Sequence, residues 1–200
     1  MTATTIPARN ERSLVERAVS GDAEAFAEIV QTHQKRIYSV ALAIVRDEME
    51  ADAVTQDTFI QAYRHLSRFE GRSELETWLT RIAINRARDS TRRRRRWISW
   101  SFGAENDSAG MLDPVDENPD AERLMESRQL RHAIDRSLEK LSERQRIIFQ
   151  LRHFDGRTLE EIASILGLKA GTVRAHLFRA IRKVREELRP WTTSGTGGAA

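Results

Sequence analysis

Between Thr158 and Leu188 the chain carries residue types at a spacing that suits one task, the grip of guanidinium groups on duplex DNA. A helix predicted from about Thr172 to Leu188 sets Val173, Leu177, Ile181, Val184 and Leu188 on one side. At about 100° per residue, Arg174, Ala175, Arg179, Arg182 and Arg185 fall around the other. Such a helix can lie on a core by one face and enter a major groove by the other, where Arg reads guanine bidentately and also clamps phosphates. The preceding segment, T158-L-E-E-I-A-S-I-L166, predicts a short helix. Thr158 caps its free backbone donors, Glu161 reaches back to close a capping box, and Leu159, Ile162, Ala163 and Leu166 make its buried stripe. Gly167 supplies the sharp exit. Capped helix, glycine turn and basic helix follow one another as a helix-turn-helix.

A second set of residues suits nucleic acid in a different form. From Arg81 to Arg96 there are eight arginines against one acid, Asp89; Arg92 to Arg96 are consecutive, and Trp97 and Trp100 follow. Arginine neutralises phosphates, and an aromatic ring stacks on an unpaired base of any identity. Trp78, nearer the front of the same predicted helix, suits core packing as well as base contact. Trp97 and Trp100 suit a protein partner as well as DNA. The loop ahead of this helix, S67-R-F-E-G-R-S-E74, places Gly71 between Phe69 and Arg72 next to free helix-terminal donors, a setting in which an extruded base can be held.

Other chemistries find little support. There is no cysteine, which excludes disulfides and thiolate zinc sites. No nucleotide-binding glycine loop or nucleophile triad is visible, and His33, His65, His132, His153 and His176 are scattered, so neither catalysis, a metal nor a cofactor is expected. No apolar run approaches membrane-spanning length, and M-T-A-T-T-I-P-A-R lacks the basic start and apolar middle of a signal peptide. A cytoplasmic location without membrane insertion is expected. The formal net charge is only +3, but its distribution is segregated: Gly103 to Glu126 holds eight acids and one arginine, Arg123. Two basic surfaces on either side of an acidic spacer predict contact with a polyanion at two places.

The elements that must position these residues read as helices throughout, an all-α chain of two small helical domains. One helix begins at Asp22 with the stripe Ala25, Phe26, Ile29, Val30, Ile37, Tyr38, Ala41, Leu42 and Val45. A second, from near Glu48, carries Ala53, Val54, Phe59, Ile60 and Tyr63 beside a polar face of Asp52, Gln56, Asp57 and Gln61. A third opens at Ser73, with Glu76 as its capping-box partner, and runs through Leu75, Trp78, Leu79, Ile82, Ala83 and Ala87 into the arginines. Later, Leu138, Leu141, Ile147, Ile148 and Leu151 form the core under the helix-turn-helix, with Ser142 as a cap. The expected division is an N-terminal domain over 14–98, a flexible acidic linker over 99–122, a C-terminal domain over 123–189 and a disordered tail over 190–200.

In this order, D52-A-V-T-Q-D-T-F-I-Q-A-Y63, F69-E-G-R-S-E-L-E-T-W-L-T-R-I-A-I-N-R-A-R-D89, L141-S-E-R-Q-R-I-I-F149 and L159-E-E-I-A-S-I-L-G-L-K-A-G-T-V-R-A-H-L-F-R179 resemble the sigma-70 family of bacterial transcription initiation factors, in its extracytoplasmic-function group. The resemblance spans roughly Leu14 to Leu188. It implies a non-catalytic factor that binds core RNA polymerase and promoter DNA, with Asp52, Gln56 and Asp57 against the polymerase clamp. It implies recognition and opening of the −10 element by Phe69, Trp78, Asn85 and Arg88, with the loop of Glu70, Gly71, Arg72, Ser73 and Glu74 as the base pocket. Arg174, His176 and Arg179 would read the −35 element. It also implies an anti-sigma partner and no obligate homo-oligomer. One departure is Ala175-His176, where many relatives carry a small polar residue and Arg, so the group's common base preferences do not transfer. A conventional helix-turn-helix repressor or activator is the alternative; it accounts for the last helices and leaves the arginine-rich third helix and the face around Gln56 without a role. A module that sequesters another regulator would make the basic helix a protein-binding face.

Overall fold

The computed structural model describes residues 8–101, 129 and 132–193, and every regular element among them is helical. The N-terminal half comprises α1 (Ala8–Val19), α2 (Ala23–Val45), α3 (Glu48–His65), a 3-10 turn (Leu66–Arg68) and α4 (Leu75–Ser101). The C-terminal half comprises α5 (132–139), α6 (Glu143–His153), α7 (Leu159–Leu166) and α8 (Ala170–Thr193). Of the acidic linker expected over 99–122, residues 99–101 belong to the end of α4 and the rest lie outside the described residues; of the tail expected over 190–200, residues 190–193 continue α8 and the rest lie outside the described residues.

Local capping explains where most helices begin. The Asp22 carboxylate accepts from the backbone N–H of Glu24 and Ala25 at the front of α2, and these bonds, with Arg17, hold its carboxyl below the usual range. Asp47 caps α3, while Ser142 with Gln145 and Thr158 with Glu161 close capping boxes on α6 and α7. Gly167 ends α7 in the left-handed conformation at φ 64°, as expected for the turn before α8.

The third helix departs from expectation at its start. Ser73 and Glu76 form no capping box; the first backbone bond runs from Trp78 N–H to the Glu74 carbonyl, and Glu76 turns instead to Arg36 and Arg157. A long-range ion pair has displaced the local cap. α8 starts two residues before Thr172 and continues past Leu188 through Pro190. The helix α1 was not anticipated; Leu14, Val15 and Ala18 bury its one apolar edge.

Two apolar clusters organise the core. One belongs to the N-terminal half and joins Leu14, Ala25, Ile29, Ile37, Phe59, Leu66, Leu75 and Leu79. The other crosses the chain: Val40, Ala41 and Ile44 of α2, Val54 of α3, and Ile84 and Ala87 of α4 pack with Ile147, Ile148, Leu151, Ile162 and Val173. The two halves therefore share a core. Ala53, Ile60 and Tyr63, expected on the buried stripe of α3, are exposed, because Ala51, Thr58 and Ala62 take the crowded side against α2 and α4. Small residues there let three helices approach closely.

Candidate nucleic-acid interface

On α8 the geometry follows the periodicity. Val173 and Ala180 are buried on the core, Leu177, Ile181 and Val184 are half-buried, and Arg174, Ala175, Arg179, Arg182 and Arg185 are exposed. Arg174 and Arg179 have no ion-pair partner among the described residues, so their guanidinium groups remain available to an anion. His176 is half-buried beside them, with Nδ1 enclosed and without a hydrogen-bond partner. Burial, then the charges of Arg144 and Arg179, lower its pKa. Phe178 is exposed on the same helix, which the periodicity had not singled out.

On α4 the arrangement differs. Phe69 and Trp78 stack with ring centroids 5.3 Å apart and a tilt of 46°, and both lean on the N-terminal core, so Trp78 serves packing while remaining only half-buried. The loop between them turns at Gly71, whose φ of +67° suits glycine and strains other residues. Glu70 and Arg72 pair across this turn at 2.5 Å, and Ser73 is half-buried. Asn85 is exposed. Arg88, one helical turn on, donates to Glu143 at the front of α6 at 3.0 Å. Glu74 accepts from Arg157 at 2.8 Å. The consecutive arginines Arg92 to Arg96 stand exposed beyond the core, with Trp97 65% exposed. Of these, Arg92 pairs with Asp89 at 2.5 Å and Arg94 approaches Asp47 at 3.9 Å.

A third surface faces elsewhere. Asp52, Gln56 and Asp57 are all exposed on α3, and Met49, Ala53, Ile60 and Tyr63 are exposed with them. The acidic face is thus interleaved with apolar side chains, a mixture that suits a protein partner better than a nucleic acid.

Sequence reasoning missed the residues that join the halves. Arg157 lies between Glu74 and Glu76 of the N-terminal half and Glu161 of α7, its side chain only 10% exposed. Burial opposes its charge, yet the surrounding carboxylates raise its pKa on balance. Arg36 pairs with Glu76 and lies 3.9 Å from Asp155, whose carboxyl is pushed up to about 6 chiefly by burial. Arg81 donates to both the carbonyl and the hydroxyl of Ser164, and Arg146 donates to the Ala43 carbonyl. Three of these pairs, Arg157 with Glu74, Arg81 with Ser164 and Arg146 with Ala43, lie 83 to 103 residues apart in sequence, beyond the reach of any local pattern. A groove of about 730 Å³ follows the same seam, with basic (Arg36, Arg46, Arg146) and acidic (Glu48, Asp135, Glu139) side chains balanced along it.

Comparison with known proteins decides what this arrangement belongs to. The family model for Sigma-70 region 2 matches residues 29–97, from within α2 to the arginine run, and the model for Sigma-70, region 4 matches 131–184, from α5 into α8. The ECF RNA polymerase sigma-E factor of Escherichia coli (strain K12) is 38% identical over 185 residues, covering 90% of this chain and 95% of the relative. The chain belongs to the sigma-70 family, in its extracytoplasmic-function group. The RNA polymerase sigma-H factor of Pseudomonas aeruginosa is 35% identical over 185 residues, covering 90% of this chain and 94% of that one.

Among solved structures, CnrH in complex with the cytosolic domain of CnrY is 27% identical with a TM-score of 0.63, covering 90% of this chain and 97% of that chain. The sigma factor RpoE in complex with the anti-sigma factor NepR, from Bartonella quintana, shares the fold at 23% identity and a TM-score of 0.67, covering 84% of this chain and 98% of that one. As a sigma factor, the chain is a non-catalytic initiation factor, which displaces the reading of a conventional repressor or activator. No described helix is long and apolar enough to cross a membrane.

Proposed function

We infer that this sigma factor directs bacterial RNA polymerase to promoters through three separate surfaces. The observation that carries the reading is the exposed arginine face at the front of α8, where Arg174 and Arg179 have no ion-pair partner among the described residues, set behind a doubly capped α7 and a left-handed glycine turn. Arg174, His176 and Arg179 read the −35 element in the major groove. Phe69, Trp78, Asn85 and Arg88, with the loop Glu70 to Glu74, take the −10 element, and Arg92 to Arg96 extend that surface along the phosphates. Strand opening then follows from capture of bases as they unstack. Asp52, Gln56 and Asp57 bind the polymerase clamp, helped by the apolar side chains exposed around them.

Two binding units, expected over 14–98 and 123–189, act on an acidic tether that begins after the end of α4 and runs to 122, with a tail after the end of α8. Each binds weakly alone, and polymerase supplies the spacing that lets both engage. The factor works in the cytoplasm as a single copy and is held inactive by an anti-sigma partner, a reading supported by the CnrH complex with a second protein. The test is core affinity of Asp52→Arg and Asp57→Arg. At least a tenfold loss is expected, equivalent to about 1.4 kcal/mol, with promoter motifs unchanged. Equal affinity for both variants would remove the clamp role.

A further inference from the structure

We propose that Ala175 and Phe178 form an apolar pair that selects a thymine in the −35 element by contact with its 5-methyl group. This rests on the assignment of the front of α8 to that element, and it adds a specificity that the arginines do not supply.

Phe178 is 67% exposed, and among the described residues of α8 it is the large hydrophobic side chain that stands in solvent. Its neighbours Leu177 and Ile181 are half-buried, and Val173 and Ala180 are fully buried, so the ring adds little to the core. Counted from Arg174 at about 100° per residue, Phe178 lies at about 40°, Arg182 at about 80°, Ala175 at about 100° and Arg179 at about 140°. Ala175 and Phe178 thus occupy the middle of the exposed arc. Arg174 and Arg179, which have no ion-pair partner among the described residues, bound it on either side.

Spacing along the helix ties the pair together. Phe178 follows Ala175 by three residues and Arg174 by four, so all three are surface neighbours. Long side chains of a helix lean toward its N-terminus, which sets the ring over the turn that carries Ala175. That turn belongs to the front of the helix, the part of a recognition helix that meets base edges. A protein-docking patch fits the position less well, because the exposed neighbours of the ring are Arg174, Arg179 and Arg182 rather than further apolar groups.

The chemistry of the groove names the base. Thymine alone of the four presents a methyl group there, whereas adenine and cytosine present amino donors and guanine two acceptors. Opposite Ala175 and Phe178 those polar groups would lose water and gain no partner, while a methyl group gains by leaving water. The flanking guanidinium groups draw the helix to the duplex through charge, a pull that carries no sequence information where it falls on phosphates. Selection between them therefore falls to the apolar pair.

The probes are a promoter duplex used by the holoenzyme and the same duplex with each thymine of the upstream element, on either strand, replaced in turn by deoxyuridine. The replacement removes the methyl group and keeps base pairing and every groove donor and acceptor. For holoenzyme with the parent factor, one replacement is expected to lower affinity about fourfold, equivalent to about 0.8 kcal/mol for one buried methyl group. Phe178→Ala, at an exposed position and toward a stronger helix former, should bind the thymine and deoxyuridine templates alike, with the salt dependence of the parent. Ala175→Ser, which sets a hydroxyl beside the ring, should narrow the difference between the templates. Deoxyuridine tolerated at every position by the parent, or a methyl effect that persists in full in Phe178→Ala, would overturn the proposal. A loss of core-polymerase affinity by Phe178→Ala in the absence of DNA would also overturn it, by giving the ring to a protein contact. Failure of the −35 reading is separable, because templates without the upstream element would then bind the parent holoenzyme as well as those that carry it.

Discussion

The two arginine-bearing helices meet their surroundings in opposite ways. On α8, Arg174 and Arg179 project into solvent, and among the described residues of the helix Val173 and Ala180 are the fully buried side chains. On α4, Arg81 and Arg88 are engaged by Ser164 and Glu143 of the other half, while Arg92 to Arg96 are exposed beyond them, Arg92 paired with Asp89 and Arg94 near Asp47. Sequence charge looks alike on the two helices, but its availability differs. Charge density gives the potential of a surface, whereas tertiary pairing decides whether a ligand can collect it.

The largest expected effect concerns the cores beneath these helices. Leu79 and Ile148 are both fully buried, but Leu79 belongs to the N-terminal cluster and Ile148 to the shared one. Truncating either to Ala should cost about 2 to 5 kcal/mol in urea unfolding. Only Ile148→Ala should also lengthen the distance between the halves before unfolding begins. Equal distances in both variants would mean that the shared cluster does not hold the molecule closed.

Reversal of charge on the free helix comes next. Arg174→Glu or Arg179→Glu should weaken promoter binding by the assembled holoenzyme by about 1 to 3 kcal/mol per lost base contact, and only on templates that retain the upstream element. Footprinting on matched templates with and without that element checks this. A uniform loss on both would assign these arginines to phosphate contact rather than base reading.

The smallest effect is a pH dependence at the seam. Burial raises the Asp155 carboxyl to about 6; Glu76 of α4 pushes in the same direction, while Arg36 of α2, Gln150 of α6 and Arg157 oppose it. Its charged form is therefore disfavoured in the closed arrangement, and that cost is full above about pH 6 and relieved as pH falls through this value. Glu161, held below the usual carboxylate range first by the Thr158 backbone N–H, stays ionised in the same window and keeps its pairing with Arg157. Lowering pH from 7 to 5 should thus tighten the closed form by about 1 kcal/mol. Asp155→Asn should abolish the change, and a closed fraction that falls toward pH 5 would contradict the sign.

What the sequence made legible was local. Thr158, Glu161 and Gly167 announce the helix-turn-helix because a capping box and a left-handed turn need particular residue types at fixed offsets, and all three act as expected. Asp22 and Ser142 announce their helices for the same reason. Ser73 fails as a cap because its partner Glu76 finds stronger partners in Arg36 and Arg157, neither of them near in sequence. Ile60 and Tyr63 belong to the apolar set of α3 yet stand exposed, because the close approach of three helices selects Ala51, Thr58 and Ala62. The arginine faces could be read from periodicity, but not the engagement of one of them, because Arg88 and Glu143 meet only through the fold.

Run-off transcription from a genomic fragment library, with bacterial core polymerase and with or without the factor, tests the central claim most directly. Starts that arise only with the factor and share two spaced upstream elements are the predicted result. No factor-dependent starts, together with tight operator binding by the factor alone, would contradict it.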